Sequence, residues 1–180
     1  MVNLAILIPL KDFEIAKGRL RIAGIADVGT RARELARAVI AASQPRHVIV
    51  VTKALDVADF ASQNGAESFL SSARDLNEAA QLAYRALQHR FDHVLIAHGD
   101  LANPSGLGLF SPEPGVTIVT DHHELGTNVL ALPTGLDFHF FYGADSKVRH
   151  EREARRLGIE YRVVVNSPWS LDIDEPEDLQ

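Results

Sequence analysis

Three aspartates stand where a divalent cation could be held. Asp100 closes VLIAHGDL, directly after a short apolar run, and Asp172 and Asp174 flank Ile173 near the tail. In an extended segment residues two apart project to the same side, so both tail carboxylates would face one ligand. Hard oxygen donors of this kind suit Mg²⁺ or a similar ion. Each also has a plainer explanation: Asp100 as the start of a turn, and Glu175, Glu177 and Asp178 around Pro176 as the first turn of a helix. That second explanation covers Asp172 less well. A cationic feature complements the acids. Lys11, Lys17, Arg19 and Arg21 fall within eleven residues, KDFEIAKGRLR, of an otherwise acidic chain. Such a loop suits a triphosphate, whose transfer requires positive charge against developing negative charge. A solvated basic loop explains the same residues about as well. No GxxxxGK[ST] run is present, which argues against a P-loop.

Two further segments offer donors to a small anion. Gly126-Thr127-Asn128 and Tyr142-Gly143-Ala144-Asp145-Ser146 set glycines beside hydroxyl and amide groups, and Ser146 is expected at a helix N-terminus. A turn and a helix cap are the bland equivalents, and the cap can coexist with a ligand role. The eight histidines show no metal-ligand spacing: His122 and His123 are adjacent and HExxH is absent. His98 lies beside Asp100, but spacing alone assigns it no role. No GxSxG elbow supports a serine hydrolase.

Something must position these residues. Leu4–Leu10, His47–Thr52, His93–Ala97, Val116–Thr120, Asn128–Leu132 and Ile159–Val165 read as strands, the first two as buried apolar runs. Helices are predicted from a Thr30 cap through Ile40, over Asp56–Asn64 with Gly65 closing it, from Leu76 through Leu87, and over Ser146–Leu157 before Gly158. Strands alternating with helices predict a single α/β domain over residues 1–180, with a mostly parallel sheet flanked by helices. Pro104–Gly115 reads as a loop excursion within it. In such sheets ligands bind beyond the carboxyl ends of the strands, where Lys11 and Asp100 fall.

Composition narrows the classes. With 180 residues the chain can bury a core without staples, and it has no cysteine, which fits a reducing compartment and excludes disulfides and thiolate chemistry. A net charge of −6 argues against nucleic acid as a partner. The apolar runs are too short to cross a bilayer, and the start MVNLAILIPLKD lacks a basic n-region. A soluble cytoplasmic protein with neither nucleic-acid nor membrane partner is expected. Setting aside Asp100 and the five acids of the last nine residues leaves 18 acids against 18 Lys+Arg, so the acidic surplus is local.

Taken in order, Ile8-Pro9-Leu10-Lys11, Ala16-Lys17-Gly18-Arg19-Leu20, Leu76-Asn77-Glu78-Ala79, Gly99-Asp100-Leu101, Gly126-Thr127-Asn128, Tyr142 to Ser146 with His150, and Asp172 to Leu179 resemble the CofC/FbiD family of guanylyltransferases of coenzyme F420 biosynthesis. The GDL and DIDxPEDL motifs recur across the wider nucleotidyltransferases; KxxxxAKxRL, GTN and YGxxS together are narrower. The resemblance implies a Rossmann-like, GT-A-type fold. It also implies Mg²⁺-dependent transfer of GMP from GTP to phosphoenolpyruvate, 2-phospho-L-lactate or a related phospho-acid such as 3-phosphoglycerate, with release of pyrophosphate and hand-over to the downstream F420 transferase. On it, Asp100 and Asp172 are the Mg²⁺ ligands, with Asp174 as a further carboxylate. Lys11, Thr127, Gly143 and Ser146 form the acceptor pocket, Lys17 and Arg19 face the triphosphate, and Asn77 lies near the guanine or ribose. Lys11, Lys17 and Arg19 are the charges expected to act in catalysis. Two positions depart from the family pattern: Ala102 replaces the proline of GDLP, and Glu124 replaces the first glycine of a GTGTN-like loop. Other GT-A-like nucleotidyltransferases with a sugar-phosphate or molybdenum-cofactor acceptor usually carry a Gly-rich first loop, which this chain lacks. A non-catalytic homologue that binds nucleotide or phospho-acid is the reading Glu124 would favour.

Overall fold

A computed structural model describes residues 2–15, 22, 24 and 26–173. Lys17, Arg19 and Asp174 lie outside the described residues. Seven strands, β1 (Leu4–Pro9), β2 (His47–Thr52), β3 (Glu67–Leu70), β4 (His93–Ala97), β5 (Val116–Val119), β6 (Val129–Pro133) and β7 (Tyr161–Val164), form one sheet in the order β3-β2-β1-β4-β6-β5-β7. Four α-helices accompany them among the described residues: α1 (Val28–Ser43), α2 (Leu55–Gln63), α3 (Leu76–Leu87) and α4 (Ser146–Arg156).

β1 is central because LAILIP can be buried on both faces, as a parallel strand between two others requires. Alternation then sorts its side chains. Ile6 and Ile8 face a cluster with Val48, Val50 and Leu95 that packs on Ala36, Val39 and Ile40 of α1 and Phe60 of α2. Ala5 and Leu7 face the other side, with Ile49, Val51 and Ile96, against Ala80, Ala83 and Tyr84 of α3 and Ala154 of α4. Each sheet face is thus covered by helices, the α/β arrangement expected from the sequence.

β6 breaks the parallel rule. It pairs antiparallel with both β4 and β5, in a register that sets Val129 against Ala97. Its start therefore lies at the carboxyl ends of the parallel strands, where Asn128, just before it, accepts from His98 N–H through its backbone carbonyl.

Boundaries differ from the sequence reading in places. α1 starts at Val28 rather than after a Thr30 cap; Asp27 holds the cap position with φ 54° and no side-chain cap bond. β3 escaped the sequence reading because ESFL is four residues long and only partly buried, so it carries little apolar signal. Gly65 and Gly158 follow their helices with φ of 78° and 66°, the left-handed close expected of them. The Pro104–Gly115 excursion holds a short 3₁₀ turn, Leu107–Leu109, and is tied down where Arg46 Nε and Nη2 donate to the carbonyls of Gly108 and Phe110, both at 3.0 Å.

Candidate active site

Seven chain segments converge on a cavity of about 660 Å³ at the carboxyl ends of β1, β2 and β4, and its walls include Lys11, Asp100, Gly143 and Asp172. Lys11 enters it from the loop after β1. That loop is pinned by the buried ring of Phe13, which meets Phe60 edge-on at 5.0 Å and lies under the Arg33 guanidinium at 4.6 Å.

Asp100 is carried past the end of β4 by Gly99. A Cβ at Gly99 would sit 2.2 Å from Leu10 Cδ2, so the missing side chain lets the ends of β1 and β4 close on each other. The tail is brought back beside it by local chemistry. Ser167 and Ser170 form a reciprocal capping box around Pro168 and Trp169, and the Trp169 indole N–H donates to the Ser105 carbonyl at 2.9 Å. The chain then pairs antiparallel with the segment after β4. Ala102 N–H donates to Leu171 O at 2.8 Å and Ile173 N–H to Asp100 O at 3.0 Å, on either side of a Leu101–Asp172 bridge. Asp100 and Asp172, 72 residues apart in sequence, become neighbours.

Buried Asn128 locks this arrangement. Its amide donates to Asp172 Oδ1 at 3.1 Å and to Trp169 O at 3.2 Å, while its backbone carbonyl accepts from His98 N–H at 3.0 Å. One ligand-competent atom each of His98, Asp100 and Asp172 lie within 4.8 Å of one another. Two carboxylates and an imidazole, partly buried and facing an open cavity, fit a divalent cation. The histidine is the member that sequence spacing could not assign, since only the fold shows that Asp172 completes a cluster with it.

Thr127, Ser146 and His150 form a second polar cluster. All three are buried, with Thr127 Oγ1 3.1 Å from His150 Nδ1 and 3.3 Å from Ser146 Oγ. Phe141 N–H donates to His150 Nε2 at 2.9 Å, which leaves the proton of the neutral ring on Nδ1 to donate to Thr127. Burial, with Arg149 and His98 nearby, pushes the His150 pKa down to about 3, so the ring is neutral at ordinary pH. Lys11 and Gly143 line the cavity; Thr127 and Ser146 do not. Two early N–H groups of α4 are already used, Ser146 on Gly143 O at 3.2 Å and Lys147 on Leu125 O at 3.1 Å. Fewer free donors remain at that helix end than an open N-terminus would offer.

Asn77 is occupied by the main chain of Tyr142, donating to its carbonyl at 3.1 Å and accepting from its N–H at 2.5 Å. It thereby holds the segment that leads to Gly143, whose φ of 115° belongs to glycine. The cavity is also lined by Thr52, Lys53, Ser71, Arg74 and Asp75.

The sequence model of the family described as "Guanylyl transferase CofC like" matches residues 4–180. A phosphoenolpyruvate guanylyltransferase of Roseiflexus castenholzii is 35% identical over 189 residues, covering 99% of this chain and 87% of that protein. A 3-phospho-D-glycerate guanylyltransferase of Colwellia psychrerythraea is 29% identical, covering 97% and 89% respectively. Among solved structures, a nucleotidyl transferase from Methanothermobacter thermautotroptrophicus superposes with a TM-score of 0.68 at 16% identity, covering 98% of this chain and 94% of that one, a likeness of fold. With a cation-competent pair of aspartates lining the cavity and near full-length matches on both sides, the chain belongs to the CofC-like guanylyl transferase family, whose members are nucleotidyltransferase enzymes.

Proposed function

We propose that this protein transfers GMP from GTP to a three-carbon phospho-acid, phosphoenolpyruvate, 2-phospho-L-lactate or 3-phosphoglycerate, with Mg²⁺ or a similar divalent ion, in coenzyme F420 biosynthesis. The observation that carries it is the meeting of Asp100 and Asp172 in the lining of a cavity that Lys11 and Gly143 also line. An acceptor phosphate oxygen attacks the α-phosphorus of GTP, the new P–O bond forms as the α–β anhydride breaks, and pyrophosphate leaves with the displaced electron pair. No protein nucleophile is required, because a phosphate oxygen is already ionised at neutral pH. Catalysis is then positioning and charge neutralisation.

In this reading Asp100 and Asp172 hold the cation, with Asp174 as a further carboxylate. When bound, the cation neutralises phosphate charge and orients the triphosphate. Asn128 keeps Asp172 aimed at the site by donating to one of its oxygens. Lys11 supplies positive charge to the acceptor, Gly143 lets backbone approach it, and Thr127 and Ser146, bonded to each other and to His150, serve the acceptor side. Lys17 and Arg19 face the triphosphate, and Asn77 serves the nucleotide side by holding Tyr142. The product is a reactive phosphoanhydride, suited to direct hand-over to the downstream transferase of the same pathway.

The test is pyrophosphate release with Mg²⁺, scanning nucleotides against the three acceptors. Release with GTP and one of them is expected, and Asp100→Asn should lower turnover by at least about a hundredfold while leaving the unfolding midpoint near wild type. No release with GTP and any of the three acids overturns the reading. Unchanged turnover in Asp100→Asn removes Asp100 from the metal centre.

A further inference from the structure

Beyond the two aspartates, the cation site contains a nitrogen donor. His98 lies at the end of β4, its Nε2 is buried without a hydrogen-bond partner among the described residues, and one of its ring nitrogens is within 4.8 Å of a carboxylate oxygen of both Asp100 and Asp172. Its position is held from two sides. The backbone N–H is bonded to Asn128 O at 3.0 Å, and the ring lies 5.5 Å from that of buried Tyr142. Tyr142 is in turn clamped by Asn77 through its main chain and packs edge-on to His150 at 5.1 Å.

A buried ring nitrogen left unsatisfied costs desolvation free energy that a metal bond would recover. Asn128 touches both parts of the cluster, accepting from the His98 main chain and donating to the Asp172 carboxylate, so the nitrogen and oxygen donors are set by a single residue. We propose that His98 is a third protein ligand to the cation held by Asp100 and Asp172, which converts an all-oxygen site into a mixed one. This rests on the reading of Asp100 and Asp172 as the metal centre. Imidazole adds little for Mg²⁺, a hard ion that keeps oxygen ligands and waters, but it favours first-row transition ions. His98 therefore raises the affinity of the site for Mn²⁺, Co²⁺ or Zn²⁺ above that of an all-oxygen site while adding little for Mg²⁺.

The experiment titrates Mn²⁺ alone into the full chain, following bound ion by electron paramagnetic resonance and nitrogen coupling by electron spin echo envelope modulation. Mg²⁺ affinity is read by competition. In wild type an imidazole ¹⁴N modulation is expected, replaced by the ¹⁵N pattern when the protein is labelled with ¹⁵N-histidine, so the test does not depend on a variant folding. In His98→Asn the coupling should vanish and Mn²⁺ affinity should fall about tenfold or more, with Mg²⁺ affinity changed far less. Asp100→Asn separates the two ideas. If it abolishes Mn²⁺ binding while wild type shows no nitrogen coupling, the aspartate centre stands and His98 is not a ligand. If wild type binds no Mn²⁺, or Asp100→Asn binds it as wild type does, the centre itself fails and the proposal falls with it. Equal losses of Mn²⁺ and Mg²⁺ affinity in His98→Asn would also overturn the selective gain assigned to His98.

Discussion

Glu124 holds a backbone conformation, φ 59°, that glycine adopts without steric cost. The residue is exposed in the loop between β5 and β6, where Asp121 accepts from the N–H groups of both Glu124 and Leu125, at 3.1 and 2.9 Å. The family pattern has glycine at this position, and the fold retains the glycine-like turn although the side chain has changed. A non-glycine residue there costs about 1–2 kcal/mol, of which about 0.4–1 kcal/mol is offset by the smaller unfolded-state entropy of glutamate. Glu124→Gly is expected to stabilise the protein by about 0.5–1 kcal/mol in urea unfolding, and an equal or lower stability would show that the turn is not strained. The departure itself was legible in the sequence. Its conformation was not, because φ depends on how Asp121 and the start of α4 hold the loop.

Elements are where sequence reasoning succeeded and failed most clearly. β1, β2 and β4 announced themselves as continuous aliphatic runs, and α3 by an apolar face that includes Leu76, Ala80, Ala83 and Leu87. β3 and the antiparallel sense of β6 did not, since a short half-buried strand has little pattern and strand direction has none. The attachment of α3 to the sheet provides a test. Tyr84 Oη donates to Pro133 O at 2.6 Å and accepts from Leu136 N–H at 3.1 Å, tying α3 to the end of β6, and burial raises its pKa to about 12. Tyr84→Phe leaves a part-buried N–H and carbonyl without their partner, and about 1 kcal/mol of stability should be lost. Pro133 pairs with His93, at the opposite end of β4 from Asp100, so turnover should stay near wild type. A loss of activity without loss of stability would contradict this division of the sheet.

At the scale of the whole molecule, two buried groups couple folding to pH. Arg156 beside Glu153, helped by the His139 backbone N–H and ring, holds that carboxyl at about 2. Its ordinary value is 4.5, so its contribution is complete above about pH 4.5 and is lost as pH falls through 2. His150 is held at about 3 against an ordinary 6.5, so below pH 6.5 the unfolded chain takes up a proton that the folded one does not. Both act in the same direction. Stability should begin to fall just below pH 6.5 and fall more steeply below 4.5, in urea melts run from pH 7.5 to 4. His150→Gln should flatten the stretch between 6.5 and 4.5 relative to wild type. A wild-type curve already flat there would contradict a neutral buried His150. No helix among the described residues is long and apolar enough to cross a membrane.

Residue types and local pattern were enough to determine the α/β class, the basic segment after the first strand, and Asp100 and Asp172 as carboxylates available to a cation. These are legible because periodicity and strand ends are local properties of the chain. Tertiary structure decided what the carboxylates meet. Reversal of β6 carries Asn128 to the carboxyl end of β4, the Ser167–Ser170 box turns the tail back onto Leu101, and His98 then becomes the third member of a cluster whose members are 72 residues apart at the nearest crossing. Two acids of the surplus that stood out in the composition, Asp100 and Asp172, are thereby drawn together at the carboxyl end of one sheet, a consequence of long-range pairing that no window of sequence contains.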